Sequence, residues 1–160
     1  MKAFAKFLTV VTVLAALAAC YIVWASDARV SVEGYRVESA ADRPDSFAGI
    51  VAAARAGEQS IELFSGSPIG DSADQYVFVT YPLRVRNMGL VPFEWLELSL
   101  DNQEGDILLV KPTVSDVPAL NQSLVSFTLM LDRNIANYER SATFSYYAYG
   151  HYKEFPLTLR

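Results

Sequence analysis

The chain has 160 residues, and its 13 basic and 18 acidic residues give a net charge of −5 at pH 7. Lys2 and Lys6 are the only charged residues among the first 26, so residues 27–160 combine 11 basic with 18 acidic residues and carry −7. Because an acidic surface repels phosphate backbones, we expect no nucleic-acid partner. Cys20 is the only cysteine, which excludes disulfides, zinc–thiolate sites and cysteine nucleophiles from residues 27–160.

An uncharged apolar run covers residues 7–26, which makes it 20 residues long. A helix of that length spans a hydrocarbon core of roughly 30 Å. Lys2 and Lys6 precede the run, which favours a cytoplasmic N-terminus and export of the residues beyond the run. The sequence therefore predicts a membrane anchor or signal segment over residues 1–26 and one extracytoplasmic domain over residues 27–160.

Three interpretations of this segment share that orientation. In the first it is an uncleaved anchor, with Tyr21 and Trp24 near its far end, where amphipathic aromatic residues favour the interface. In the second it is a signal peptide cut after Ala25, with Val23 as the other small residue of the cleavage site. In the third it belongs to a lipoprotein, because Cys20 ends a run LAAC that resembles a bacterial lipobox, although apolar residues continue beyond it.

The next part of the chain contains a first strand and one short helix. Residues 30–38 alternate roughly between apolar and polar, with a bend at Gly34. Residues 41–45 are typical of a turn. A helix is predicted over residues 47–56, capped by Ser46 and ended by a glycine, and the alternative for this alanine-rich stretch is a loose connector.

From residue 60 onward the pattern is that of β-strands separated by turns. Pro82 lies inside one candidate strand and predicts an edge position or a bulge, because proline has no N–H to donate to a ladder. Short strands, frequent turns and at most one short extra helix predict an all-β antiparallel sandwich. The candidate strands cover residues 60–64, 76–86, 95–100, 107–110, 125–131, 142–148 and 155–159.

Residues 81–100 resemble the strand–turn–strand opening of exported Ig-like modules, in which a strand ends in Asn-x-Gly, here Asn87 to Gly89, and a proline comes next. Residues 117–129 resemble the corner and alternating strand of the same group. These stretches resemble CARDB-type and LEA14-type sandwiches, and the resemblance covers about residues 76–160. It implies an Ig-like β-sandwich that serves adhesion, ligand display or envelope assembly, and it carries over no catalytic residue.

The sequence offers little for chemistry, so we expect a protein that is not an enzyme and uses no cofactor. His151 is the only histidine, and a solvated residue in a hairpin turn at Gly150-His151 accounts for it better than a catalytic base does. Residues 101–106 are acidic, but a calcium loop starting there would place Pro112 at its twelfth position. A polar turn is the better interpretation, and no metal site is predicted.

Five aromatic residues crowd into residues 146–155. Alternation puts Tyr147 and Tyr149 on the face opposite Tyr146, so one group lies away from the main core. Exposed aromatic side chains stack on sugars or anchor a protein partner, whereas the alternative is packing between strands across the hairpin. The predicted partner-binding residues are Trp95, Tyr147, Tyr149 and Tyr152, with Trp95 pointing outward between two glutamates.

The sequence thus predicts a membrane-tethered extracytoplasmic binding or interaction module. Its expected contacts are the membrane, through the N-terminal helix, and an envelope protein or a glycan, through the aromatic residues. The alternative is a structural accessory subunit of a cell-envelope or secretion complex, which would be held by its helix rather than by the sandwich.

Overall fold

The computed structural model describes residues 2–25, 28–64, 69–112, 116–135 and 137–160. Helix α1 (Lys2–Ala25) contains a stretch long and apolar enough to cross a membrane, and none of that stretch is buried against protein. The predicted N-terminal helix is therefore present, and Cys20 lies exposed on it. Ser26, the first residue after the predicted cleavage point, lies outside the described residues.

Two antiparallel sheets come after α1. In the larger sheet, β1 and β2 both pair with one edge of β4, and the order continues through β7 and β6 to β3. In the smaller sheet, β8 lies between β5 and β9. The prediction of an all-β sandwich with one N-terminal helix and one short extra helix is confirmed. The elements are β1 (Arg29–Val32), β2 (Arg36–Ser39), α2 (Pro44–Ala56), β3 (Ile61–Leu63), β4 (Tyr76–Arg86), β5 (Glu94–Leu100), β6 (Asp106–Val110), β7 (Gln122–Asp132), β8 (Arg140–Ala148) and β9 (His151–Leu159).

The main core lies between the two sheets. Because successive strand residues point to opposite faces, alternate residues of β4 and β7 face inward, among them Tyr81 and Phe127. From the smaller sheet, Phe144 and Tyr146 enter the same cluster, and Tyr146 packs on Phe93 with ring centroids 4.5 Å apart. Each long strand therefore contributes the residues of one face to this core.

A second, smaller core lies on the other face of the larger sheet, where α2 packs. Phe47 and Val51 of the helix are buried against Phe78 and Met130 of the strands. The ring of Phe47 also stacks on that of Tyr76, with centroids 5.6 Å apart. The short helix is thus a covering layer of the sheet and not a loose connector.

The predicted start of α2 is wrong by a few residues. The helix begins at Pro44, and the cap residue Arg43 makes no side-chain capping bond, so Ser46 lies inside the helix. Proline suits this first position because its fixed φ is helical and its missing N–H would have no helical partner. The end of the helix was predicted correctly: Gly57 has φ +70° and closes it in the left-handed conformation.

The prediction that Pro82 marks an edge position or a bulge in its strand is also wrong. The register between β4 and β7 runs through Pro82 without a shift. β4 is an interior strand, with β1 and β2 on one side and β7 on the other. The Pro82 carbonyl accepts a hydrogen bond from the Glu33 N–H, which lies in the break between β1 and β2. The Pro82 nitrogen faces the same break, because the nitrogen and the carbonyl of one strand residue point to the same side. Gly34 has φ +80° in that break. The irregularity therefore belongs to the neighbouring strands, and proline is tolerated because no ladder partner stands opposite its nitrogen.

Candidate functional site

Three aromatic side chains form a row across the outer face of the smaller sheet. The Trp95 and Tyr147 ring centroids are 5.4 Å apart, and those of Tyr147 and Tyr152 are also 5.4 Å apart. Their exposed fractions are 72 %, 38 % and 54 % in the order Trp95, Tyr147 and Tyr152. We call these three residues the aromatic cluster. Tyr147 and Tyr152 are direct register partners, so the pair packs between strands and still faces solvent.

A β-bulge aims Trp95 outward. Glu94 pairs with Tyr147 and Glu97 with Ser145, so β5 has one residue more than β8 between these points. Within the bulge Trp95 has φ +53°, a conformation that is strained for a large side chain by about 1–3 kcal/mol. Bulges re-aim side chains at functional sites. Neither burial nor local conformation explains a tryptophan at this position.

Tyr149 does not lie on the outer face with Tyr147, which corrects the prediction made from alternation. The hairpin turn between β8 and β9 is Tyr149-Gly150, with φ of +53° and +72°, as in a type I′ turn. The turn swings Tyr149 toward the core, where it is partly buried, and its hydroxyl accepts a bond from the Leu90 N–H at 2.9 Å. His151, predicted in the turn, is the first residue of β9 and is exposed.

Tyr149 lines a cavity of about 410 Å³ together with Trp95 and Tyr147 of the aromatic cluster. Its walls are mostly apolar, and Glu94 carries the only charge among the described residues that line it. Aromatic walls with one carboxylate suit a ligand group that combines an apolar surface with a hydrogen-bond donor or a positive charge. The walls include Val91, Pro92, Glu94, Trp95, Tyr147 and Tyr149.

Carboxylates form the next row of the same face. Glu97, Ser145 and Glu154 are register partners across the three strands, and the Tyr152 hydroxyl donates to Glu154 at 3.2 Å. Lys111 Nζ lies 3.5 Å from Glu97 and 2.9 Å from Glu62. Partial burial disfavours the Lys111 charge, but the bonds and charges of these two carboxylates outweigh it and raise the Lys111 pKa. The row offers acceptors to sugar hydroxyls or basic side chains beside the aromatic cluster.

The structure therefore brings three of the predicted residues into contact, and the fourth, Tyr149, lines the same cavity as Trp95 and Tyr147. The sequence patterns did not reveal the cavity walls contributed by Val91, Pro92 and Glu94. Their only signal is the position of Pro92 just before the outward tryptophan. The acidic turn at residues 101–106 leads into Asp106, whose carboxylate is buried against Arg140.

Within the described ranges, no three His, Cys, Asp or Glu side chains come together as a metal-binding group. No model of a known protein family matches the chain, and no curated protein matches it either. The geometry of the aromatic cluster and its cavity is therefore what points to a function.

Proposed function

We propose that this protein is a membrane-tethered extracytoplasmic binding module of Ig-like fold. It recognises an envelope protein or a glycan through the aromatic cluster, and it is not an enzyme. The observation that carries the proposal is Trp95, which is 72 % exposed in a strained backbone conformation and lines a cavity. Strained residues concentrate at functional sites, where the surrounding structure holds them in place.

The order of the strands supports the Ig-like assignment. In constant-type Ig sandwiches, strands A, B, E and D form one sheet and strands C, F and G the other. The order β1/β2, β4, β7, β6 matches the first sheet, and β5, β8, β9 matches the second. Helix α2 and β3 are then an insertion between the first and second Ig strands.

The chemistry of the cluster supports a recognition role. Tryptophan and tyrosine present large, rigid surfaces with few rotatable bonds, so little conformational entropy is lost when they bind. They are also the residues most enriched among those that dominate binding energy at interfaces. Three of them side by side, next to a cavity with a single charge, form the kind of surface that anchors a partner.

The position of the charges supports the proposed topology. Lys2 and Lys6 stand at the start of α1, and the positive-inside bias keeps such an end in the cytoplasm. The sandwich and its aromatic cluster then lie on the far side of a bacterial cell membrane, where envelope proteins and glycans are available.

Site-specific photo-crosslinking in intact membranes tests the proposal. The full-length chain carries p-benzoylphenylalanine in place of Tyr147, and a matched chain carries it in place of Ser141, an exposed residue on the same strand and face. We expect a discrete adduct from position 147 and none from position 141, with the partner identified by mass spectrometry as protein or glycan. Equal adduct patterns at the two positions would contradict the proposal.

A second candidate function is a structural accessory subunit held in a complex by α1. It is favoured by one observation, that the membrane-spanning stretch of α1 is unburied and so free to pack on other helices. Replacing residues 1–26 by an unrelated anchor separates the two roles. Loss of the cellular phenotype would favour the accessory role, and retention would favour recognition by the sandwich.

A further inference from the structure

Apolar side chains project from one end of the sandwich. Met88, Leu90 and Leu120 are 49 %, 58 % and 67 % exposed. We call these three residues the apolar tip. They lie in two neighbouring loops, one that joins β4 to β5 and one that leads into β7. Clustered exposed apolar residues mark contact with a partner or a membrane.

This end is also the end at which the chain arrives from α1. Arg29, the first residue of β1, pairs with Arg86, the last residue of β4, and Arg86 pairs with Gln122, the first residue of β7. Met88 lies two residues beyond Arg86, and Leu120 lies two residues before Gln122. The apolar tip therefore lies beyond the ends of β4 and β7, at the same end of the sandwich as the start of β1.

The covalent chain keeps the tip close to the end of α1. The Ala28 N–H donates to the Tyr146 hydroxyl at 2.9 Å, which fixes Ala28 to the sandwich. Helix α1 ends at Ala25, three peptide units earlier, so the Cα atoms of these two alanines are at most about 11 Å apart. A sandwich attached so closely to a membrane-spanning helix presents this end to the lipid surface.

The two loops are held in a fixed arrangement by buried hydrogen bonds. The Asn87 side chain, which is fully buried, donates to the carbonyls of Val91 and Val117 and accepts from the Gly89 N–H. The Leu120 N–H donates to the Gly89 carbonyl at 3.1 Å. The apolar side chains are thus displayed by a rigid frame, so their exposure is built into the fold.

Leu120 combines exposure with backbone strain. It has φ +53°, where glycine or asparagine is the ordinary residue, yet the chain places a leucine there with two thirds of its surface exposed. Packing within the chain does not account for that choice. Contact with an apolar surface outside the chain would account for it, because such contact would bury the side chain.

The charges around the tip are mixed. The exposed charged residues near it in the chain or in register include two basic residues, Arg29 and Arg86, and two acidic residues, Glu94 and Asp116. Electrostatic attraction to anionic lipid would therefore contribute little to binding of the tip to a membrane. The favourable term would be burial of the apolar side chains.

We propose that the apolar tip inserts into the interface of the same membrane that α1 crosses. The sandwich then has a second membrane contact, and the cavity beside Trp95 opens next to the lipid surface, where it meets partners that are themselves membrane-bound. The inference rests on the membrane tether of the proposed function, but it does not require that the aromatic cluster bind a partner.

Labelling with an environment-sensitive fluorophore tests this contact. The full-length chain, with Cys20→Ser, receives Leu120→Cys or Met88→Cys, and a matched chain receives Asn134→Cys, an exposed turn residue that comes after β7 at the other end of the sandwich. Each cysteine carries a nitrobenzoxadiazole label in phosphatidylcholine nanodiscs, with or without lipid bearing a spin-label quencher. The wild-type Cys20 label reports whether α1 lies in the bilayer.

We expect blue-shifted emission and loss of most of the signal to the quencher at positions 120 and 88, and neither change at position 134. Water-like, unquenched labels at the two tip positions would overturn the inference, and so would equal quenching at position 134. A quenched tip without the crosslink from position 147 would reject the recognition role alone. The crosslink with an unquenched tip would reject the membrane contact alone.

Discussion

The carboxylate of Asp106 and the guanidinium of Arg140 form an ion pair that joins the two sheets. Arg140 Nη2 lies 2.7 Å from Asp106 Oδ1, and Arg140 Nε donates to both carboxylate oxygens at 3.1 and 3.2 Å. The two side chains are 0 % and 1 % exposed. Arg140 Nη1 also donates to the carbonyls of Asn137 and Glu139, and the Gln103 N–H donates to Asp106. The buried charge of each side chain is thus neutralised by the other.

Breaking this pair is expected to destabilise the sandwich strongly. Asp106→Asn leaves the buried Arg140 charge without its counter-ion, and such losses amount to about 3–5 kcal/mol. The matched control is Arg55→Gln, which removes the exposed pair with Asp71 and is expected to change stability by less than about 1 kcal/mol. Urea unfolding of the full-length chain in detergent measures both. Equally small losses in the free energy of unfolding for the two variants would show that the fold does not require the ion pair between the sheets.

Removing both charges is expected to restore most of that stability. In Asp106→Leu/Arg140→Met no charge remains to be desolvated, and such replacements are often neutral or stabilising. The same urea experiment compares the double variant with Asp106→Asn. A double variant as unstable as the single one would indicate that the backbone bonds made by Arg140 matter more than its charge.

Tyr81 is expected to make the fold sensitive to alkaline pH. Burial, more than the neighbouring charges, raises its pKa well above the ordinary value of about 10, and its hydroxyl donates to the Tyr138 carbonyl. The folded chain therefore keeps this proton when the unfolded chain has lost it. The contribution of Tyr81 to the free energy of unfolding is complete below about pH 10. Above that pH it falls by up to about 1.4 kcal/mol per pH unit.

The free energy of unfolding of Tyr81→Phe is accordingly expected to fall less steeply above pH 10 than that of the wild type. The exposed Tyr152→Phe serves as the control and is expected to keep the wild-type slope. Urea unfolding at several pH values between about 9 and 11 measures the slopes. Identical slopes for all three chains would show that Tyr81 does not carry the effect.

Leu120 is expected to be replaceable without loss of stability. Leu120→Asn keeps the φ of +53° at lower strain, so the free energy of unfolding should be unchanged or higher by up to about 1 kcal/mol. Leu124→Asn is the control, an exposed leucine in the regular part of β7, where asparagine is disfavoured and a small loss is expected. A loss of more than about 1 kcal/mol for Leu120→Asn would indicate that Leu120 serves folding instead.

The N-terminal helix is expected to stay on the mature protein. The uncharged apolar run is long enough to span a bilayer and continues past Cys20, whereas the apolar region of a lipoprotein ends at its cysteine. The intact mass of protein extracted from membranes should therefore match the full chain of 17.7 kDa, without added lipid. A mass that lacks residues 1–25 would identify a signal peptide, and a lipid-bearing chain that starts at Cys20 would identify a lipoprotein.

Two-residue alternation was enough to predict the strands and much of the core. It placed Trp95 outward and Tyr147 on the face opposite the buried Tyr146, because successive residues of a strand point to opposite faces. It failed at Tyr149, where positive φ in the turn ends the alternation. The edge position or bulge inferred from the missing N–H of Pro82 was also wrong, because the sequence of one strand does not show which strands lie beside it.

The cavity and the apolar tip could not be predicted from the sequence, for a related reason. The tip joins Leu90 and Leu120, which are thirty residues apart and meet through loops, not through a strand pattern. Asp106 and Arg140 are likewise 34 residues apart and belong to different sheets. Such contacts depend on how the sheets are ordered and stacked, and no periodicity in this chain encodes that order.

The role of Trp95 as a recognition residue is tested most directly by crosslinking with and without its side chain. Full-length chains carry p-benzoylphenylalanine in place of Tyr152, with either Trp95 or Trp95→Gly. Glycine relieves the strain at φ +53° while the lost ring contact costs about 0.5–1.5 kcal/mol, so both chains should fold. We expect the adduct in intact membranes from the Trp95 chain alone. An adduct formed equally well by Trp95→Gly would contradict the proposed function.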